Sequence, residues 1–136
     1  MKKGNTLVEV IISLAIILMA FTIVSQIIII SAKAVNNRKL REEAERVAYA
    51  IENEAKYNNK FSDLGEEVSF KYTNDILDKL INLPLMSLER GSDITLKRIK
   101  SSIEDKIYLY SITIKGSNGG VLAEREFVKS YWMEKN

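Results

Sequence analysis

The chain has 136 residues, 46% of them hydrophobic, and a formal charge of +2. It contains no cysteine and no histidine, which removes disulfides, thiol chemistry, histidine-based triads and zinc sites with nitrogen or sulfur ligands. Lys2 and Lys3 account for the whole net charge, so the balance gives no sign of nucleic acid or acidic substrates as ligands.

The first element follows those lysines. From Val10 to Ala32 (VIISLAIILMAFTIVSQIIIISA) there is no charge, no proline and no glycine. At about 1.5 Å per residue the run predicts a helix of roughly 35 Å, long enough for a hydrocarbon core of about 30 Å. Ser13, Thr22, Ser25, Gln26 and Ser31 fall inside it, and backbone or neighbouring helices can satisfy them. Lys2 and Lys3 on the short side predict a cytoplasmic N-terminus and an extracytoplasmic remainder. Glu9 is the residue a plain anchor would not choose, because an ionisable group in hydrocarbon is costly. One reading leaves it at the interface, where the helix N-terminal dipole favours a carboxylate. The other gives it a cationic partner.

The spacing around Glu9 carries more. Gly4-Asn5-Thr6-Leu7-Val8-Glu9, placed between a short basic leader and the apolar run, resembles the N-terminus of type IV prepilins and type II secretion pseudopilins. The likeness covers roughly the first 32 residues. It implies cleavage by a prepilin peptidase between Gly4 and Asn5, N-methylation of Asn5, and assembly roles for Thr6 and Glu9. The first mature residue of that family is usually Phe; Asn5 is more typical of its minor members. The implied product is a structural subunit, a minor pilin or pseudopilin, and not an enzyme. It would use no cofactor or metal and enter a type IV pilus or a related secretion or uptake filament, at or near its tip. Its partners would be prepilin peptidase, other pilin or pseudopilin subunits, the cytoplasmic membrane and an assembly platform protein, with nucleic acid not expected as a direct ligand. Three segments result: a leader at 1–4, a membrane or filament-core helix at 5–32, and an extracytoplasmic domain at 33–136.

Cleavage also gives the motif a physical rationale. It exposes an amine at Asn5 that stays basic after methylation, so Glu9 can meet a positive charge on its own chain or on an adjacent subunit. A buried charge without its partner is strongly destabilising, so Glu9 is expected to fix the stagger between subunits. A competing reading takes Ala32-Lys33-Ala34 as a signal-peptidase site, although signal peptides usually have apolar cores of only about 7 to 15 residues. A tethered or secreted binding domain is the alternative function.

Past the span, Leu40, Ala44, Val47, Ala48, Ile51 and Ala55 recur at helical spacing and predict an amphipathic continuation. Arg38, Arg41, Glu42, Glu45, Arg46, Glu52 and Lys56 occupy the other faces and read as solvated, with Glu42–Arg46 and Glu52–Lys56 as i,i+4 pairs. The helix is expected from about Thr6 to about Tyr57, ended by Asn58-Asn59 and Phe61-Ser62-Asp63-Leu64-Gly65. Val68, Phe70 and Tyr72 alternate as in a short strand. Thr73-Asn74-Asp75 offers N-caps for a short helix carrying Ile76, Leu77, Leu80 and Ile81, halted by Pro84. Leu85, Met86 and Leu88 are expected beneath a sheet, and Arg90-Gly91-Ser92-Asp93 in a turn.

The last third reads as an antiparallel meander. Ile94 to Lys100 and Lys106 to Lys115 are strands, Ser117-Asn118-Gly119-Gly120 is a hairpin turn, and Val121 to about Trp132 returns. Helix first and sheet after predicts an α+β fold in which the amphipathic half-helix crosses one sheet face, which is the lollipop of the pilin family. Asp63, Glu66 and Glu67, or Asp75 and Asp78, could gather around calcium, which takes several oxygens, but without an ordered ligand-loop pattern they read as a solvated loop. Tyr108 and Tyr110 share a strand face and suit the core. Tyr131 and Trp132 either cover the helix or form an exposed patch.

Overall fold

The computed structural model describes residues 2–102, 104 and 106–133. Helix α1 runs Lys2–Tyr57, beginning before the expected start near Thr6. The glycine at position 4 does not break it, since one helical glycine costs only about 1 kcal/mol. By its internal contacts the chain divides into two units, Met1–Lys39 and Leu40–Asn136. The first is the apolar half of α1. From Gly4 to Lys39 every residue is exposed except Ser25, which is half-buried.

The second unit is α+β. It joins the C-terminal part of α1 to an antiparallel sheet in the order β1-β2-β3-β4. The strands are β1 Glu67–Phe70, β2 Ile94–Ser102, β3 Ile107–Lys115 and β4 Val121–Ser130. Consecutive strands pair, as short antiparallel connections favour. One face is a ladder of apolar partners: Phe70 beside Ile94, Ile94 beside Ile114, Ile114 beside Ala123, and Tyr110 beside Phe127. Against this face α1 buries Ala44, Val47, Ala48, Ile51 and Ala55 completely. Three of those five are alanines, whose short side chains let the helix axis approach the sheet. Leu40, expected in this stripe, is 42% exposed. It lies a full turn before Ala44, where the buried stripe begins.

Between helix and sheet the chain is stapled by short elements. Phe61–Leu64 forms α2 where a plain helix-ending loop was expected, and the Asp63 carboxylate accepts the Lys60 N–H at 3.2 Å. β1 stops at Phe70, so Tyr72 is outside the strand. The Lys71 N–H donates instead to the Glu89 carbonyl at 2.8 Å, and Gly91 passes so close that a Cβ there would lie 2.7 Å from Lys71 Cβ. Helix α3 spans Ile76–Asn82. Its expected N-cap, Asp75, makes no capping bond; its carboxylate pairs with Lys79 at 3.1 Å. Ile76 and Leu80 are buried, but Ile81 is 79% exposed. A helix this short turns only one narrow stripe inward. Leu85 and Leu88 enter the core around a 3-10 turn after Pro84. The β3–β4 hairpin closes through the Gly116 N–H and Gly120 carbonyl at 2.8 Å, with Gly119 at φ 78°. β4 ends at Ser130, and Tyr131–Met133 turn as a 3-10 helix. Trp132 is therefore 74% exposed and does not cover α1, while Tyr131 takes Lys106 Nζ over its ring at 4.5 Å.

Two charged groups belong to the core of this unit. Glu52, read from sequence as part of the solvated face, is buried. Its carboxylate accepts from Lys56 Nζ at 2.7 Å and from Arg125 Nε on β4. Burial pushes the Glu52 carboxyl up, but hydrogen bonds and charge from Lys56 and Arg125 outweigh it and hold the group below its ordinary value. Lys129, also on β4, is 0% exposed. Its ammonium donates to the carbonyls of Ala55 at 2.6 Å, Lys56 at 2.8 Å, and Asn59. Ala55 and Lys56 lie in the last turn of α1, whose carbonyls have no partner within the helix. The preceding Glu54 carbonyl accepts from the Asn58 and Asn59 N–H groups. A lysine has three donors and here spends them on three acceptors, closing the C-terminal end of α1 where its dipole favours a cation.

Lys129→Met keeps the stem and strands those carbonyls, so denaturation of the detergent-solubilised chain should show a loss of about 3 kcal/mol. Glu52 sets the pH behaviour. A carboxylate with a depressed folded pKa stabilises the fold above its unfolded pKa, and that stabilisation disappears as pH falls through the folded value. The stability difference between wild type and Glu52→Gln should be full at neutrality. It should shrink below about pH 4.3 and vanish in stronger acid, as read by chemical unfolding across pH.

Candidate processing and assembly site

The residues singled out at the N-terminus all lie on α1. Gly4 is helical and exposed, and a Cβ built on it meets nothing within 4 Å. Asn5 and Glu9 are four apart and Thr6 and Glu9 three apart, so the helix stacks each pair on one face, with Cβ atoms about 5–6 Å from each other. Thr6, Glu9, Val10, Ser13, Leu14 and Ile17 border one shallow depression of ≈ 420 Å³ on that face. A carboxylate therefore sits on an apolar helical wall, one turn from Asn5.

The rest of the segment presents apolar side chains all round. Leu7, Ile11, Leu14, Leu18, Phe21 and Ile28 are each more than half exposed, a surface that water does not tolerate but lipid or other helices do. α1 is long and apolar enough to cross a membrane by length and composition. Two polar residues inside the run are satisfied by the helix itself. Thr22 Oγ1 donates to the Met19 carbonyl at 2.7 Å, and Ser25 Oγ to the Phe21 carbonyl at 2.8 Å.

The other groups considered from sequence do not gather into a site. Asp63 is engaged at the start of α2, and Asp75 with Lys79. Among the described residues no three acidic side chains converge as metal ligands would. Tyr110 is buried and stacks on Phe127 at 5.5 Å between ring centroids, and Tyr108 packs against the core. The cluster of buried Glu52 and Lys129 with half-buried Arg125 was not singled out from sequence. The signal for it is parity: on β4, positions 125 and 129 share a face with the inward-pointing Ala123 and Phe127.

Residues 1–25 match the family described as "Prokaryotic N-terminal methylation motif". No curated protein and no solved structure matches the chain. The matched segment includes Gly4, Asn5, Thr6 and Glu9. The chain thus carries a prepilin-type N-terminus ahead of an α+β unit, consistent with a type IV pilin-like protein. The motif implies processing by prepilin peptidase and assembly with other pilins. With the long apolar helix, it fits a membrane-anchored, single-pass protein of structural character.

Proposed function

We propose that this chain is a filament subunit of the minor pilin or pseudopilin kind. The single observation that carries the reading is the methylation motif set at the start of an uncharged helix long enough to span a bilayer. On this reading residues 1–4 are a leader, residues 5–32 are first a membrane anchor and then part of a filament core, and residues 33–136 form the extracytoplasmic domain. Lys2 and Lys3 keep the leader in the cytoplasm. The peptidase cuts between Gly4 and Asn5, methylates the Asn5 amine, and leaves side chains of zero net formal charge.

The chemistry of assembly then falls to Glu9. In the membrane its carboxylate lies one helical turn from the new amine. In a filament it can meet the amine of a neighbouring chain instead. Attraction between opposite charges strengthens steeply as water is excluded, so subunits that align Glu9 with a terminus are favoured over other staggers. Thr6, stacked one turn from Glu9, helps keep that pair on one face. Asn5 in the first mature position, where the family usually has Phe, suits a member present in few copies near the tip.

Mass spectrometry of the protein isolated from its own cells should find Asn5 first and methylated. A chain beginning at Val35 would mean a signal peptide and a secreted domain instead. The assembly role has its own test. Glu9→Gln should fractionate with the membrane as wild type does, yet be recovered from sheared filaments at about a tenth of the wild-type level or less, a loss of at least about 1.4 kcal/mol in incorporation. Equal recovery of the two would remove Glu9 from assembly.

A further inference from the structure

Hydrogen bonding within the apolar run leaves one amide unanswered. Thr22 and Ser25 return their hydroxyls to their own helix, and Ser13 and Ser31 have the same route available one turn back. Gln26 does not. It is exposed and, among the described residues, its side chain makes no hydrogen bond. A carboxamide has two N–H donors and an acceptor oxygen, and a single backbone carbonyl cannot serve them all. At about 1.5 Å per residue, Gln26 lies roughly 9 Å inside the Ala32 end of the run and roughly 24 Å from Val10. Bulk water is out of reach there, and an unanswered polar group in hydrocarbon seeks a partner on another helix.

We infer that Gln26 pairs with Gln26 of a second copy of this chain in the membrane, before filament entry. The inference rests on the membrane-spanning reading above and goes beyond it. Topology supplies the argument for a second copy. Lys2 and Lys3 orient every copy the same way, so two parallel helices bring their Gln26 side chains to the same depth without any stagger. The carboxamide is self-complementary: Nε2 of each donates to Oε1 of the other. A heptad drawn through Gln26 puts Ile12, Ala15, Met19, Thr22 and Ile29 on the same seam. Ala15 and Thr22 are small enough for close approach, and Thr22 has already spent its donor within its own helix. Glu9 falls beside the seam, so the pair does not need to bury two carboxylates face to face. The register is also unlike the one Glu9 favours in a filament, where the terminus of one chain meets the carboxylate of another. The Gln26 pair is therefore a state that assembly must dissolve.

The test uses the full chain in phosphatidylcholine vesicles, labelled through Ser117→Cys in the exposed hairpin turn. The absence of native cysteine makes this label unique. Insertion is measured first by alkaline extraction, and association by energy transfer as protein is diluted in lipid. Wild type should dimerise, Gln26→Leu should weaken dimerisation about 3- to 30-fold, and Gln26→Asn should retain most of it. Wild type that inserts but stays monomeric, or Gln26→Leu that pairs as tightly as wild type, overturns this inference alone. A wild-type chain that fails to insert overturns the membrane reading, and this inference with it.

Discussion

A polar or charged group held away from water must find a partner, and that constraint sets the design of both halves of this chain. In the C-terminal unit the partners are internal. Lys129 answers carbonyls at the end of α1, and Arg125 with Lys56 answers Glu52. In the apolar half of α1 the hydroxyls of Thr22 and Ser25 are answered by their own helix, whereas Glu9 and Gln26 project from it. Glu52 and Lys129 are thus answered within their own unit, whereas Glu9 and Gln26 stand exposed on an apolar helical surface.

The same contrast explains why α1 can be one continuous helix with two chemistries. Its backbone hydrogen bonds are intrahelical, so the helix does not depend on water or lipid to satisfy them. Only the side chains change character. Before Lys33 they are apolar on every face; from Ala44 onward a narrow stripe rich in alanine meets the sheet and the remainder is charged. The two β4 cations then tie this second half to the sheet. Removing one partner of a buried ion pair, or leaving buried carbonyls without their donor, is costly, which makes Glu52 and Lys129 sensitive points in an otherwise ordinary apolar core.

Much of this was legible in the sequence. The uncharged run, the helical stripe from Ala44 to Ala55, the alternation of Tyr108, Tyr110, Ile112 and Ile114, and the glycine turn at 119 each follow from local periodicity and backbone preference. The prepilin-type N-terminal motif was legible too, because its information lies in spacing along one segment. The buried ions were not, because each was weighed on its own element. Glu52 looks solvated on a helical wheel until β4 delivers Arg125, 73 residues later in the chain. Tyr72 failed for the related reason that alternation marks apolar residues without showing where a four-residue strand stops. Of the two readings for Trp132, cover for the helix or exposed patch, the first is lost because β4 ends at Ser130, two residues before the expected strand end.

Among the described residues β4 has a neighbour on one side only, and its solvent face carries Glu124 and Glu126, opposite Thr113 and Ser111 of β3. An open ten-residue strand invites another to zip onto it, and copies confined to one bilayer or one polymer would meet often. If two β4 strands aligned antiparallel about Arg125, Glu124 of each would stand against Glu126 of the other, and like charges directly opposed across strands repel. The exposed margin of the sheet is thus chemically self-avoiding in that alignment.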